Sequence, residues 1–199
     1  MHTWISSMKV SATDLPGVLL IEPVVHRDSR GFFEAFQRER YYQSGIEVDF
    51  VQDNHSSSLQ GTLRGLHAQL EPGQAKLVRV IEGEIFDVVL DIRRGSPTFG
   101  RSVWARLSAA NQWQLYIPPG FAHGFYVLTP VAQMIYKCSA LYRPEGEIGI
   151  RWDDPEIGIS WPLDPTVPVL LSERDKAAPT LRDAWDRLPV MAEPSQEGR

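Results

Sequence analysis

The amino-acid sequence predicts an all-β jelly roll, on three observations. Short β-rich segments with turn residues between them recur at spacings of about 8–12 residues. Helical periodicity is confined to two short stretches. No internal repeat, low-complexity segment or linker divides the 199 residues. One domain is therefore expected over residues 1–188, followed by a polar tail, 189–199, expected to be disordered.

The elements follow in order. Gly17 to Val25 is rich in Val, Leu and Ile and reads as a strand with Pro23 near its edge or end. Asp28-Ser29-Arg30-Gly31 is a turn cluster, and Phe32 to Phe36 a short strand. Arg38 to Ser44 fits one or two helical turns ending near Gly45. Phe50 to His55 is a strand running into a polar loop of serines. Residues 61–82 form two strands joined by the Pro72-Gly73 turn. Glu84 to Ile92, Arg101 to Leu107, Trp113 to Ile117, His123 to Leu128 and Val131 to Tyr142 continue the pattern. Gly149 to Trp152 and Ile157 to Trp161 lie among prolines and aspartates. Thr180 to Leu188 reads as a short C-terminal helix, with Thr180 as N-cap and Leu181, Trp185 and Leu188 on one face.

Composition excludes several classes. Net charge is 20 − 25 = −5, which argues against nonspecific nucleic-acid binding while allowing a local basic pocket. Cys138 is the only cysteine, so neither an intrachain disulfide nor a Cys-rich metal site is available. No apolar run reaches the roughly 18 residues of a membrane span. The first residues lack a basic stretch followed by an apolar core, so no signal peptide is expected and the cytoplasm is the default location.

Residues 61–82 carry more polar groups than a structural hairpin needs: Arg64, His67, Gln69, Lys76 and Arg79. Pro118 to His123 fits Pro-x-Gly-x-x-His, the second signature of cupin-type jelly rolls (double-stranded β-helices). Metal-binding cupins carry His-x-His in their first signature, and the corresponding place here reads His67-Ala68-Gln69. Glutamine is a weak ligand for transition metals, so no metal is expected. Without metal, His67 is free to act as a general base, better so if a carboxylate holds its other nitrogen. Spacing does not choose that carboxylate.

Strand parity puts Lys76 on one face with Val78 and Val80. Facing inward, its ammonium would stabilise an oxyanion; facing outward, it is an ordinary solvated lysine. Arg64 and His67 differ by three positions and should point to opposite faces unless Gly65 hosts a bulge. Tyr136 shares a face with Met134 and Cys138, either as a core tyrosine with its hydroxyl tied off or as a general acid.

Together these residues resemble the dTDP-4-dehydrorhamnose 3,5-epimerase family. The resemblance spans about residues 9–180. Its motifs include Asp28 to Phe33, Val51 to Ser56, Leu63 to His67, Lys76 to Arg79, Ser96 to Gly100, Ile117 to Phe125, Tyr136-Lys137, Trp152 to Pro155 and Leu171 to Asp175. It implies a metal-free, cofactor-independent cupin-type jelly roll, a homodimer that exchanges N-terminal strands, and a dTDP-4-keto-6-deoxy sugar as substrate. It implies His67 as base, Asp175 as its carboxylate partner, Lys76 as stabiliser of the C4 enolate oxygen and Tyr136 as acid on the opposite face. Arg30 and Arg64 would contact the diphosphate. Glu34, Gln52, Asn54, His123, Tyr142 and Glu147 complete the substrate contacts that it implies. The chain departs from the family pattern at Ala68, where an aromatic residue is frequent. That departure leaves inversion of a single centre, C3 or C5, as the alternative to inversion of both.

Overall fold

Alternation of apolar and polar residues builds two antiparallel sheets that face each other across an apolar interior. The chain, seen in a computed structural model, is described from residue 8 to residue 191. Its elements are β1 (Lys9–Ala12), β2 (Leu19–Glu22), β3 (Val25–Asp28), β4 (Gly31–Glu34), α1 (Arg38–Tyr42), β5 (Gln52–Leu59), β6 (Leu63–Gln69) and β7 (Lys76–Glu82). They continue with β8 (Glu84–Asp91), β9 (Ser102–Ser108), β10 (Gln114–Ile117), β11 (Phe121–Val127), β12 (Val131–Cys138), β13 (Glu147–Gly149) and α2 (Glu173–Lys176). One sheet runs β1-β2-β10-β7-β12-β5 and the other β13-β6-β11-β8-β9, while β3 and β4 form a separate hairpin. The architecture is the cupin-type jelly roll that the strand pattern predicts.

Three apolar clusters hold the layers. The first lies between the sheets and takes Val78, Val80, Leu115 and Met134 from one and Ile85, Val89, Phe121 and Phe125 from the other. The second covers the outer face of the five-stranded sheet, where Leu66, Ala68, Phe86 and Tyr126 meet Ile150, Leu181, Ala184 and Leu188. The third packs Tyr41 and Ile46 onto Ile21, Leu77 and Tyr116 on the outer face of the six-stranded sheet.

Several expected elements change. The strand expected over 17–25 breaks after Glu22, because Pro23 has no N–H for a ladder. Thr180 to Leu188 is not a regular helix. Thr180 does cap it, accepting from the Asp183 amide at 3.1 Å, and the Ala184 amide bonds four residues back, but the amides of Trp185, Arg187 and Leu188 bond three residues back and only Trp185–Arg187 is a 3₁₀ turn. A segment this short gains its order from packing rather than from helical propagation. Leu181, Ala184 and Leu188 are buried, and Trp185 is half exposed against the Phe99 ring. The expected tail starts as a bridge to the loop after β8: Arg94 donates its amide to the Pro189 carbonyl and Met191 donates to the Arg94 carbonyl. The remainder of the expected tail, residues 192–199, lies outside the described residues.

One polar cluster secures the loop that precedes β9. Asp91 is fully buried and accepts from Arg93 Nε at 2.9 Å and Nη2 at 2.7 Å, and from Ser96 and Thr98 hydroxyls at 2.6 Å each. Arg93 in turn lies over the Phe121 ring at the start of β11. Burial pushes the Asp91 carboxyl up, but these bonds outweigh it and hold it below the usual carboxylate range. A depressed carboxyl contributes stability that is present above its unfolded-state value near ~4 and lost as pH falls through the folded value. Asp91→Asn is therefore expected to lose about 3 kcal/mol at pH 7. Its urea midpoint should also change less than that of the parent protein between pH 5 and 2. An unchanged acid dependence would remove Asp91 as the group responsible.

Candidate active site

The site begins with an irregularity in β6. Its register against β11 pairs His67 with His123 and Arg64 with Phe125, so three steps along β6 match two along β11. The extra residue is accommodated at Gly65, whose φ of 108° favours glycine. A Cβ there would stand 2.6 Å from the His123 carbonyl oxygen and 2.7 Å from the Gly124 Cα. The bulge restores a common face: Arg64 and His67 line the same cavity despite their odd spacing.

His67 Nε2 lies 2.5 Å from Asp175 Oδ1. The carboxylate comes from the start of α2 and is held by a local cap: Ser172 Oγ donates to Asp175 Oδ2 at 2.8 Å and accepts the Asp175 amide at 3.1 Å. Burial pushes the Asp175 carboxyl up, but the His67 bond, His67 charge and Ser172 bond together leave it below the usual range. An ionised Asp175 fixes the proton of neutral His67 on Nε2, which leaves the Nδ1 lone pair to accept a proton.

Lys76 faces inward with Val78 and Val80, so the inward reading of its strand holds. Burial lowers its pKa, against the opposing pull of Cys138, Glu147 and Asp87. Tyr136 lies opposite Asn54 on the neighbouring strand. Burial raises the Tyr136 phenol above its usual value, against a hydrogen bond to the Asn54 side chain and the Arg64 charge. The phenol is thus protonated at neutral pH, the state a general acid requires.

Two adjoining cavities share His67, Lys76 and Tyr136 in their walls. The larger, about 470 Å³, adds Arg64, His123, Arg174 and Asp175, with Leu170 and Leu171. The smaller, about 90 Å³, adds Asn54, Gln69, Tyr142 and Glu147. Cations thus collect around the larger space and hydrogen-bonding side chains around the smaller.

The remaining expected contacts divide. Arg64 donates to Ser58 Oγ at 3.1 Å, and His123 is bonded to Asp87 at 2.9 Å. Gln52 donates to Asn54 Oδ1 at 2.9 Å and accepts the Tyr142 amide, so it supports the wall rather than lining it. Tyr142 Oη donates to Glu147 Oε2 at 2.6 Å. Arg30 and Glu34 are not brought to either cavity within one chain. Arg30 sits in the β3–β4 hairpin with its side chain 88% exposed, paired with Asp28. Glu34 lies on the outer face of the six-stranded sheet, where it accepts from Gln114 and pairs with Arg79 at 3.3 Å.

Gln69 is a scaffold residue. Its amide nitrogen donates to the Pro72 and Leu141 carbonyls and its oxygen accepts the Arg143 amide, which ties the hairpin turn to the segment before β13. Among the described residues no group of three or more His, Cys, Asp or Glu side chains is placed to hold a metal ion. Ala68 is buried in the second cluster opposite Ile148 on β13. Its Cβ lies on the sheet face opposite His67, while the residue also borders the smaller cavity beside His67 and Gln69.

Sequence reasoning missed Asp87, Ser172 and Arg174. Ser172 was legible as a cap, since Ser-x-x-Asp before a short helix is a capping pattern. Asp87 carried no local signal: it reaches His123 only because β8 and β11 are neighbours.

A jelly roll that gathers an imidazole–carboxylate pair, an amine and a protonated phenol around one space, with cations beside it, fits the class of proteins that move protons on an anionic ligand. The comparisons agree. A family model described as dTDP-4-dehydrorhamnose 3,5-epimerase matches residues 12–183. The chain is 50% identical over 172 residues to the dTDP-4-dehydrorhamnose 3,5-epimerase of Methanothermobacter thermautotrophicus, covering 86% of this chain and 93% of that protein. Among solved structures it is similar to dTDP-6-deoxy-D-glucose-3,5-epimerase of Legionella pneumophila in complex with dTDP-4-keto-L-rhamnose. That match has a TM-score of 0.89 and 48% identity and covers 94% of this chain and 100% of the other. A 4-keto-6-deoxy sugar epimerase from the novobiocin biosynthetic gene cluster of Streptomyces spheroides aligns with a TM-score of 0.87 and 37% identity, over 93% and 94% of the two chains. The chain belongs to the dTDP-4-dehydrorhamnose 3,5-epimerase family.

Proposed function

We propose that the protein inverts C3 and C5 of dTDP-4-dehydro-6-deoxy-D-glucose to give dTDP-4-dehydro-L-rhamnose. The observation that carries this is the convergence of His67, Lys76 and Tyr136 on both cavities. Both carbons flank the C4 ketone, so loss of either proton gives an enolate whose charge rests on the C4 oxygen. His67 takes the proton on Nδ1. Asp175, already bonded to Nε2, stabilises the imidazolium that results. Lys76 stabilises the enolate oxygen, where its charge acts through a poorly solvated space. Tyr136 returns its phenolic proton to the opposite face of the carbon, which inverts the centre. Exchange with solvent then resets His67 and Tyr136 for the second carbon.

The cations of the larger cavity suit the diphosphate. Arg64 offers a planar guanidinium, and His123 is held by Asp87. The β3–β4 hairpin supports a homodimer in the same reading. It leaves Phe32 and Phe33 exposed, the latter at 65%, and carries Arg30 away from its own cavities. A second copy that receives the hairpin would gain both aromatic surface and a diphosphate contact. Residues 1–188 are in this reading one domain, located in the cytoplasm.

The test is proton exchange in deuterated water, followed by NMR at C3 and C5 of the ketosugar. Deuterium at both carbons with inversion of both is the expected outcome. Exchange and inversion at one carbon only would replace the function with single-centre epimerisation. No exchange at either carbon would overturn it.

A further inference from the structure

Glu147 is held more firmly than a substrate contact needs. It sits on β13, which pairs with the end of β6 and places Gly149 opposite His67. Its side chain is only 10% exposed, and one oxygen, Oε2, accepts both Tyr142 Oη at 2.6 Å and Arg174 Nη1 at 2.7 Å. The other oxygen, Oε1, accepts no hydrogen bond from the described residues and faces His67 Nδ1 at 4.0 Å. Burial pushes the Glu147 carboxyl up, but the Tyr142 and Arg174 bonds and the His67 charge outweigh it and keep it ionised.

The two nitrogens of His67 therefore face two different carboxylates. Asp175 is in hydrogen-bond contact on Nε2, and Glu147 is across a gap on Nδ1, the nitrogen that must accept the proton. At that distance the interaction is Coulombic rather than a hydrogen bond. It is weak while the ring is neutral and attractive once the ring is cationic, so it favours the state formed by proton abstraction over the state before it.

We infer that Glu147 is a positioning residue of the epimerisation that acts through His67: it stabilises the imidazolium from the Nδ1 side. The inference rests on the proposed role of His67 as base. Other groups that face His67 are counted with it. Arg174 on α2, Lys76 on β7 and Arg64 on β6 oppose a cationic ring, Asp175 favours it, Tyr136 on β12 is neutral, and the His123–Asp87 pair lies on β11 and β8. Among the described residues, Glu147 is the one carboxylate besides Asp175 that an ion-pair distance links to the ring.

The experiment is an NMR titration of the His67 ring protons in the full-length protein without substrate, comparing the parent protein with Glu147→Gln and Glu147→Asp. The midpoint should fall by about one pH unit in Glu147→Gln and move by less than half of that in Glu147→Asp. The coupling is mutual, so the Glu147 carboxyl carbon of the parent protein should show an inflection at the His67 midpoint, a measurement that needs no variant. In the deuterium assay, Glu147→Gln should lower kcat about tenfold, change KM less than threefold and move the acid limb of kcat/KM down by the same pH interval. An unmoved ring midpoint, a missing carboxyl inflection, or a loss confined to KM would overturn the inference. If the parent protein exchanges no substrate proton, the proposed function falls, while the ring titration still decides whether Glu147 acts on His67.

Discussion

Replacing His67 with asparagine is expected to lower kcat by about 10²–10⁴-fold, the usual contribution of a positioned general base. Asparagine keeps a polar group of similar breadth but has no lone pair able to take a proton from carbon. Affinity for dTDP should stay within about twofold, because Arg64, Arg174 and His123 surround the larger cavity independently of the ring. Asp175→Asn should also be slow, since it removes the anion that fixes the Nε2 proton and stabilises the imidazolium. Combining the two should add little to His67→Asn alone, because Asp175 acts through His67. Steady-state kinetics on the three variants, with dTDP binding by calorimetry, make the check. A His67→Asn protein with near-parental kcat would remove His67 as the base.

Gly65→Ala is expected to lose about 2–4 kcal/mol of stability and at least 10²-fold in kcat. Two causes add. The added Cβ collides with backbone of β11, at 2.6 Å from the His123 oxygen, and backbone on both strands cannot swing aside as a side-chain tip would. The φ of 108° is also strained for any residue with a Cβ. Relief requires β6 and β11 to part or the bulge to shift, and either change moves Arg64 relative to His67. Gly158→Ala separates the causes, because Gly158 has φ 65° but nothing within 4 Å of an added Cβ. It should cost about 1 kcal/mol and leave kcat unchanged. Denaturant midpoints and kcat for both variants decide the matter. A Gly65→Ala protein no worse than Gly158→Ala would show that the close approach of the strands does not hold the site.

Much of this architecture was legible in the residues. The period-two pattern of Lys76, Val78 and Val80 states that they share a face, and the fold makes that face the inner one. The odd spacing of Arg64 and His67, with a glycine between them, states that a bulge is needed if both are to serve one cavity. These are local statements about backbone period and about the residues that tolerate unusual torsions, and a sequence carries such information directly.

The pairings that make the chemistry are not local. Asp175 reaches His67 across 108 residues because α2 docks against β6. His123 meets Asp87 because their strands are neighbours, and Glu147 meets the free nitrogen because β13 adds to the edge of β6. Glu34, only four residues after Arg30, ends on the outer face of the other sheet with Gln114 and Arg79. Thr180 to Leu188 has a helical pattern, yet packing of three small or branched side chains under the five-stranded sheet sets its form. The sequence by itself thus determined most of the strands, the glycine at which a bulge could bring Arg64 and His67 to one face, and the kinds of groups available for proton transfer. Tertiary structure alone decided which carboxylate faces which nitrogen. Sheet order and register set those distances, and they depend on contacts between residues that no local period relates.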